Sequence, residues 1–414
     1  MIRVRAGFLG LVFLITGTFS CSGRHNAANP GNAASIPEKG KINPDVRCIL
    51  NKEVSYALYL PSGYTPDKKF PVILAFDAHG GGNLPLEMYK TLAESHGCIL
   101  IGSNNSKNGL PMNETGIIVQ ALFTEIRSRY SIDTARITTM GFSGGSRIAS
   151  LVAFSSLPVS GVIGCGAGFP GLDQAPQHRF DFLGIAGNAD FNMNELRSLD
   201  GQLEEAKFRH ALIIFDGIHA WPPVEIMQEA FTWNDFCAMK ENRMPKDQKA
   251  IDAYIKFMDT KISREKKSGD MIKIHRDLLN KMRFLDRLAG TTDVQSEITA
   301  LEADPVYMKE LKAEQETSAY EAKQQKMLTD NFFTKELPWW KTTIGNYDSR
   351  IKQAKDSNDV RVCRRLKSYL SLVCYMSYTR VLTSNDTVAA AKAMKIYEMA
   401  DPENAAKTKA GKVK

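Results

Sequence analysis

The sequence predicts an α/β fold, a mostly parallel sheet with helices on both faces, followed by an all-α C-terminal region. From about residue 54 to residue 240, short apolar runs alternate with helical patterns, which is typical of a parallel sheet covered on both faces. Beyond residue 240 the strand-like runs stop, and apolar residues recur only at helical spacing. The chain of 414 residues is long enough for two domains with substantial cores.

These patterns divide the chain into five segments. They are a signal segment, a tether rich in Asn, Ala, Gly and Pro, an α/β domain, a helical domain and a basic tail expected to be disordered. The predicted bounds are 1–20, 21–44, 45–240, 241–402 and 403–414.

The N-terminal segment has two arginines before an apolar run at 6–19, which is too short to cross a membrane comfortably. The run ends at small residues and Cys21, and in this it resembles a bacterial lipoprotein signal peptide. The resemblance implies cleavage before Cys21, lipidation of this residue, and a lipid anchor to the membrane. By the same resemblance, Ser22 rather than Asp after the cysteine implies the outer membrane of the cell envelope. No acidic cluster follows that would indicate surface display, so the periplasmic face is expected.

The α/β domain is expected to contain strands and helices in nearly strict alternation. Strands are predicted at 54–60, 70–76, 98–102, 137–142, 161–165, 180–186 and 210–215, and helices at 86–95, 115–130, 147–154 and 194–208. Strand 70–76 has no apolar/polar alternation, as expected of a strand buried on both faces.

The motif G-x-S-x-G occupies residues 141–145, between an apolar strand and a helix. The turn must be sharp, and small residues on both sides of Ser143 let strand and helix approach closely. Because the helix begins directly after the serine, the backbone N–H of Gly144 is expected to face an anion formed there. This pattern favours a nucleophilic serine over a glycine-rich turn with an incidental one.

Three glycines at 80–82 follow strand 70–76. Their N–H groups are unshielded by side chains, which suits an oxyanion hole, and Gly81 is the candidate second donor beside Gly144. The polar stretch 103–109 also leaves a strand at its carboxyl end. It is either a substrate-side loop or an ordinary turn.

Candidate partners for the serine follow later strands. Asp190 stands just past strand 180–186, and His219 just past strand 210–215. Asp216, Asp173 and Asp181 remain alternative acids, although Asp216 is too close in sequence to approach the ring of His219 from its far side.

The order serine, aspartate, histidine at successive strand ends resembles the α/β-hydrolase superfamily from about Val54 to Lys240. The segments 132–145 and 217–222 are most similar to those of secreted esterases related to polyhydroxybutyrate depolymerases and feruloyl esterases. The resemblance implies a catalytic triad of Ser143, Asp190 and His219, acyl transfer through an acyl-enzyme, and no metal or organic cofactor.

Helices in the C-terminal region are expected at 251–262, 274–288, from 292 or 293, from 305, after Pro338, at 361–382 and at 388–399. Residues 393–402 resemble the second helix of a tetratricopeptide repeat, but no regular period follows, so an irregular array of helical hairpins is expected. Trp339 and Trp340 are either core residues or a ligand platform.

Composition excludes some function classes. The net charge of +7 is modest for this length and no basic cluster is interleaved with aromatics, so nucleic acid is not an expected partner. The six cysteines after Cys21 form no C-x-x-C pair and no zinc-like spacing, so no metal site is expected.

The sequence therefore predicts a membrane-anchored serine hydrolase, with a small-molecule or polymer-borne ester as substrate and a possible protein partner for the helical domain. A serine peptidase on the same fold is one alternative. The other is a non-catalytic scaffold lipoprotein that works through its helical domain.

Overall fold

The computed structural model describes residues 37–411 apart from 170–171, 173–175, 355–356 and 385. The elements below all belong to one unit that begins at Glu38. The predicted signal segment, Cys21 and Asp173 lie outside the described residues, as does the tether up to residue 36.

The strands form one eight-stranded sheet. They are β1 (Ile42–Arg47), β2 (Ser55–Tyr59), β3 (Phe70–Phe76), β4 (Ile99–Ser103), β5 (Ile132–Phe142), β6 (Gly161–Cys165), β7 (Asp181–Gly187) and β8 (His210–Phe215).

The helices of the α/β part are α1 (Asn83–Ser95), α2 (Met112–Arg129), α3 (Gly144–Phe154), α4 (Met193–Glu205) and α5 (Val224–Lys240). Those that follow are α6 (Gln248–Ser268), α7 (Met271–Leu285), α8 (Thr292–Glu302), α9 (Pro305–Asp330), α10 (Leu337–Gln353), α11 (Ser357–Thr383), α12 (Thr387–Ala400) and α13 (Pro402–Lys409).

The strand order is β1-β2-β4-β3-β5-β6-β7-β8. Strand β2 is antiparallel to both neighbours, and β4, β3, β5, β6, β7 and β8 pair in parallel. This is the order of the α/β-hydrolase fold, and helices α1 to α5 accompany the sheet. The predicted fold class, including an all-helical C-terminal region, is confirmed.

Two hydrophobic clusters cover the two faces of the sheet. One combines sheet residues with α2, α3 and α4, and the other combines them with α1, α5, α6, α7 and α8. A third cluster joins the end of α9 to α10, α11, α12 and α13. Trp340 is fully buried there, which agrees with the core interpretation of this residue.

Two segments differ from the prediction. Strand β1 begins at Ile42, inside the stretch expected to be tether, and has an exposed and irregular burial pattern that gives little periodicity. The tail expected to be disordered begins with α13, because Asp401 caps its N-terminus through the Asn404 N–H and Ala405 is buried.

None of the helices in the described part of the chain is both long and apolar enough to span a membrane. The cysteines of the described residues are all buried free thiols. The boundary at about residue 240 and the tetratricopeptide-like character of the helices stay predictions.

Candidate active site

The turn between β5 and α3 holds Ser143 in a strained conformation, with φ 55° and ψ −119°. A non-glycine residue in this region is costly and persists where the surroundings enforce it. A Cβ on Gly141 would lie 2.2 Å from the Gly145 carbonyl oxygen, and one on Gly145 would lie 2.0 Å from that of Phe76. Both glycines are thus required for the close approach of α3 to β5 and β3.

The structure brings Ser143, His219 and Asp190 together in one chain of hydrogen bonds. His219 Nε2 is 2.9 Å from Ser143 Oγ, and His219 Nδ1 is 2.9 Å from Asp190 Oδ1. A carboxylate only accepts hydrogen bonds, so Nδ1 carries the proton and Nε2 accepts the hydrogen bond of the serine hydroxyl. The side chains are 16% exposed for His219 and 1% exposed for Asp190.

Strand ends position the three groups. Ser143 follows β5, Asp190 follows β7 and His219 follows β8, and these strands run in parallel, so their carboxyl ends lie at one edge of the sheet. Gly166 follows β6, has φ +64°, and lies against the side chains of Asp190 and His219. A Cβ on Gly166 would lie 3.0 Å from Asp190 Oδ2 and 3.1 Å from His219 Cε1.

The imidazole of His219 packs against two aromatic rings. Its centroid is 4.7 Å from that of Phe142 and 4.2 Å from that of Phe191. Asp190 Oδ1 also accepts the N–H of Asn192 at 2.8 Å. The ring plane and the carboxylate are therefore held by packing as well as by the His219–Asp190 hydrogen bond.

The glycine loop after β3 is organised by Asp77, whose side chain is 4% exposed. Asp77 Oδ1 accepts the N–H groups of His79 at 2.8 Å and of Gly81 at 3.3 Å. Asp77 Oδ2 accepts Trp221 Nε1–H at 2.8 Å. One buried carboxylate thus joins the glycine loop to the segment that carries His219, and the Gly81 N–H is directed at this carboxylate.

The polar loop after β4 lies against both proposed oxyanion segments. The Asn108 N–H donates to the Ala78 carbonyl at 2.8 Å. The Asn108 side chain packs on Gly144, where a Cβ would lie 1.7 Å from Asn108 Oδ1. Of the two interpretations, a loop on the substrate side fits this placement.

The other acids considered for the triad have other partners. Asp181 pairs with Arg209 at 3.0 Å and with Arg243 at 3.4 Å. Asp216 accepts Asn188 Nδ2–H at 2.5 Å. Asp190 is therefore the acid that the structure places against His219.

No group of three or more His, Cys, Asp or Glu side chains in the described residues is arranged to hold a metal ion. The residues that sequence reasoning missed are Asp77 and Phe191. The only signal for Asp77 was its position directly before the glycine loop, and for Phe191 its place next to Asp190.

No protein-family model matches the chain, and no curated protein matches it. Among solved structures, the chain is similar to an S-formylglutathione hydrolase of Staphylococcus aureus, at 12% identity over 48% of this chain and 99% of that chain, with a TM-score of 0.39. It is also similar to the feruloyl esterase module of Clostridium thermocellum, at 15% identity over 50% and 90% of the two chains and a TM-score of 0.39. A third is a Bacillus cereus carboxylesterase, at 18% identity over 45% and 96% and a TM-score of 0.36. Similarity of this degree says nothing about activity, which has to rest on the site itself.

Proposed function

We propose that this chain is a serine hydrolase, most specifically a carboxylic ester hydrolase that works through an acyl-enzyme. The observation that carries the proposal is the hydrogen-bonded line from Ser143 through His219 to the buried carboxylate of Asp190. A serine hydroxyl is a weak nucleophile until a base accepts its proton, and this line supplies both the base and the group that orients it.

In the proposed reaction, Ser143 Oγ attacks the ester carbonyl carbon while His219 Nε2 takes the hydroxyl proton. Asp190 holds the imidazole in the required tautomer and stabilises the imidazolium. His219 then gives the proton to the departing alkoxide, which leaves as an alcohol. Water activated by the same imidazole attacks the acyl-enzyme, and the acid product leaves with Ser143 restored.

The tetrahedral oxyanion needs hydrogen-bond donors at its own position. The N–H of Gly144, at the first turn of α3, is the proposed first donor, worth on the order of 3 kcal/mol of transition-state stabilisation. Gly81 is the proposed second donor. In the resting structure its N–H donates to Asp77 Oδ1, so it has to turn from this carboxylate when substrate binds.

We also propose that Cys21 carries a lipid anchor and that the protein works in the cell envelope. The basis is the sequence of the first segment alone. Radiolabelled palmitate should enter the full-length protein in a bacterial host and should not enter the Cys21→Ser variant.

The activity is tested on the protein that starts at residue 22, with a fluorophosphonate probe and then with matched ester and amide substrates. We expect the probe to label Ser143, and we expect Ser143→Ala and His219→Ala to lose labelling and to lower kcat by on the order of 10⁶-fold. Hydrolysis of the amide at a rate similar to that of the ester would instead indicate a peptidase. If the fluorophosphonate probe does not label the folded protein, this result would contradict the hydrolase proposal and favour a scaffold role.

A further inference from the structure

The loop that carries the proposed catalytic acid, residues 188–192, is held from outside the α/β part of the chain. We call it the acid loop. Helices α9 and α11, which lie more than a hundred residues later in the sequence, both donate hydrogen bonds to its backbone. Backbone carbonyls fixed in this way leave the loop little freedom to move the side chains between them.

The first contact comes from a buried ion pair between the helices. Glu321 on α9 is 1% exposed and Arg365 on α11 is 3% exposed. Arg365 Nε donates to Glu321 Oε2 at 2.9 Å, and Arg365 Nη2 donates to Glu321 Oε1. The remaining terminal nitrogen, Nη1, donates to the Asn188 carbonyl oxygen at 2.5 Å. Glu321 Oε2 also accepts Asn194 Nδ2–H at 3.1 Å, so the pair contacts the acid loop at its first residue and the start of α4 directly after the loop.

Such a pair is a poor device for stability alone. Burying two charges costs several kcal/mol per ion, and apolar residues of similar volume are often as stable or more stable. What the pair supplies instead is a rigid geometry, because a planar guanidinium bound through both Nε and Nη2 to one carboxylate has the direction of Nη1 fixed as well. Here Nη1 donates to the carbonyl of the residue two positions before Asp190.

The second contact concerns the ring that packs on His219. The Phe191 carbonyl oxygen accepts Gln325 Nε2–H of α9 at 3.3 Å. The Phe191 ring, 4.2 Å from that of His219, meets the ring of Tyr369 of α11 at 6.3 Å. Tyr369 is in turn hydrogen-bonded through its hydroxyl to Thr329 of α9 at 2.8 Å. The same two helices therefore support both the backbone and the aromatic side chain of the acid loop.

We propose that α9 and α11 act as a clamp that positions the acid loop for catalysis, with Glu321 and Arg365 as positioning residues of the hydrolase site. The proposal rests on the function proposed above. It assigns to the helical region a role in the proposed reaction, in addition to any binding of a partner. A displacement of reacting groups by about 1 Å can cost on the order of 10²-fold in rate, so a loosened acid loop should be visible in kcat.

The test replaces the pair by neutral residues of similar size, Glu321→Gln with Arg365→Met, in the protein that starts at residue 22. The control makes the same change, Asp359→Asn with Arg350→Met, at an ion pair between α10 and α11 that has no hydrogen bond to the acid loop. We expect kcat of the clamp variant to fall by about 10- to 100-fold while KM stays within twofold. Its rate of labelling by the fluorophosphonate probe should fall by the same factor. The control should keep kcat within about twofold.

Gln325→Ala removes the hydrogen bond to Phe191 without touching the buried pair, and it decides the question if the double variant does not fold. We expect it to lower kcat several-fold at unchanged KM. The inference would be overturned if kcat were unchanged in Gln325→Ala and in a folded clamp variant. It would also be overturned if the control variant lost as much kcat as the clamp variant. Either result would leave the hydrolase proposal intact. An unmodified protein that neither labels nor hydrolyses any ester would overturn both.

Discussion

Glycines around Ser143 explain why the sequence singled out this residue as the candidate nucleophile. The close contacts at Gly141 and Gly145 are with backbone atoms, which cannot move aside, so the motif reflects a packing requirement as well as chemistry. Such a requirement is local, and a pattern of five residues records it. The positions of Asp190 and His219 after strands β7 and β8 were predictable for a similar reason, since the parallel order of strands brings their ends together.

Gly166 provides a test of the same site that avoids its reacting groups. Gly166→Ala should impose left-handed strain of about 1–2 kcal/mol and press a methyl group against Asp190 and His219. We therefore expect kcat to fall by about 10-fold or more. Steady-state kinetics together with urea unfolding would separate the effect on the site from the effect on stability.

The matched control for this prediction is Gly97→Ala. Gly97 has a similar φ of +59°, and a Cβ there meets no atom within 4 Å. We expect a comparable loss in the free energy of unfolding with unchanged kcat. Equal activity of the two variants would show that the contacts around Gly166 do not matter for catalysis.

Asp77 marks the limit of sequence reasoning at this scale. Its hydrogen bond to Trp221 spans 144 positions, and the sequence gives no period or motif that links the two residues. In the sequence, Asp77 is distinguished only by its position between strand 70–76 and the three glycines. Its role in joining two loops depends on tertiary contacts that no local pattern encodes.

Helices of the C-terminal region were predictable as elements because their apolar residues recur at helical spacing, and capping residues fix several of their ends in the structure. Asp247, Asp270, Asp304 and Asp386 each accept an N–H at the start of a helix, and Gly269 ends α6 with φ +74°. Strand β1 was missed since its burial pattern has no alternation. Helix α13 was missed because the lysines of this segment indicated a disordered tail, and the helix cap at Asp401 was not recognised.

Helix α6 carries a buried carboxyl group that should make stability depend on pH. Burial, together with the neighbouring carboxyl of Asp277, raises the pKa of Glu265 to about 8. The ionisable groups that act on Glu265 are Lys261 of the same helix and Lys273 and Asp277 of α7. Glu229 of α5 and Tyr254 of α6 are neighbours of Asp277, and Glu229 also pairs with Lys261. The folded protein thus holds a proton that the unfolded chain releases near pH 4.5, so the free energy of unfolding contributed by Glu265 falls as pH rises from about 4.5 to about 8.

Glu265→Gln is uncharged at every pH, and it should remove this dependence. Relative to the unmodified protein, we expect its free energy of unfolding to increase by about 3 kcal/mol between pH 5 and pH 8, measured by urea denaturation. Glu87→Gln on the exposed side of α1 is the control, and it should show no such change. A parallel pH profile for Glu265→Gln and the unmodified protein would contradict the assigned proton.

At the scale of the whole molecule, the sequence separated an α/β part from a helical part but gave no sign of how they meet. Helices α6, α7 and α8 share a hydrophobic cluster with one face of the sheet. Tyr254 of α6 stacks on Phe284 of α7 at 4.7 Å, and Phe284 packs on Trp233 of α5 at 4.8 Å. Helical periodicity shows that a helix has an apolar face, but it does not identify the surface that covers this face.

The predicted boundary at residue 240 can be tested against this packing by comparing two shorter chains. A chain of residues 38–303 keeps the shared cluster and loses α9 to α13, whereas a chain of residues 38–241 also loses α6 to α8. In the shorter chain Trp233, Phe236 and Met239 lose their cover, and exposing each fully buried apolar side chain costs about 1.5–3 kcal/mol. Together these losses approach the 5–15 kcal/mol that typically stabilises a domain.

We therefore expect the chain 38–303 to be soluble and to unfold cooperatively, and the chain 38–241 to aggregate or to lack a cooperative transition in circular dichroism. The longer fragment should also react slowly with the fluorophosphonate probe, because it lacks the helices that hold the acid loop. A soluble, cooperatively folded chain 38–241 would contradict the argument from packing and would establish residue 240 as the end of an independent domain. In that case α6 to α8 would be an accessory to the sheet, and their apolar faces would be the first place to look for a partner of the helical region.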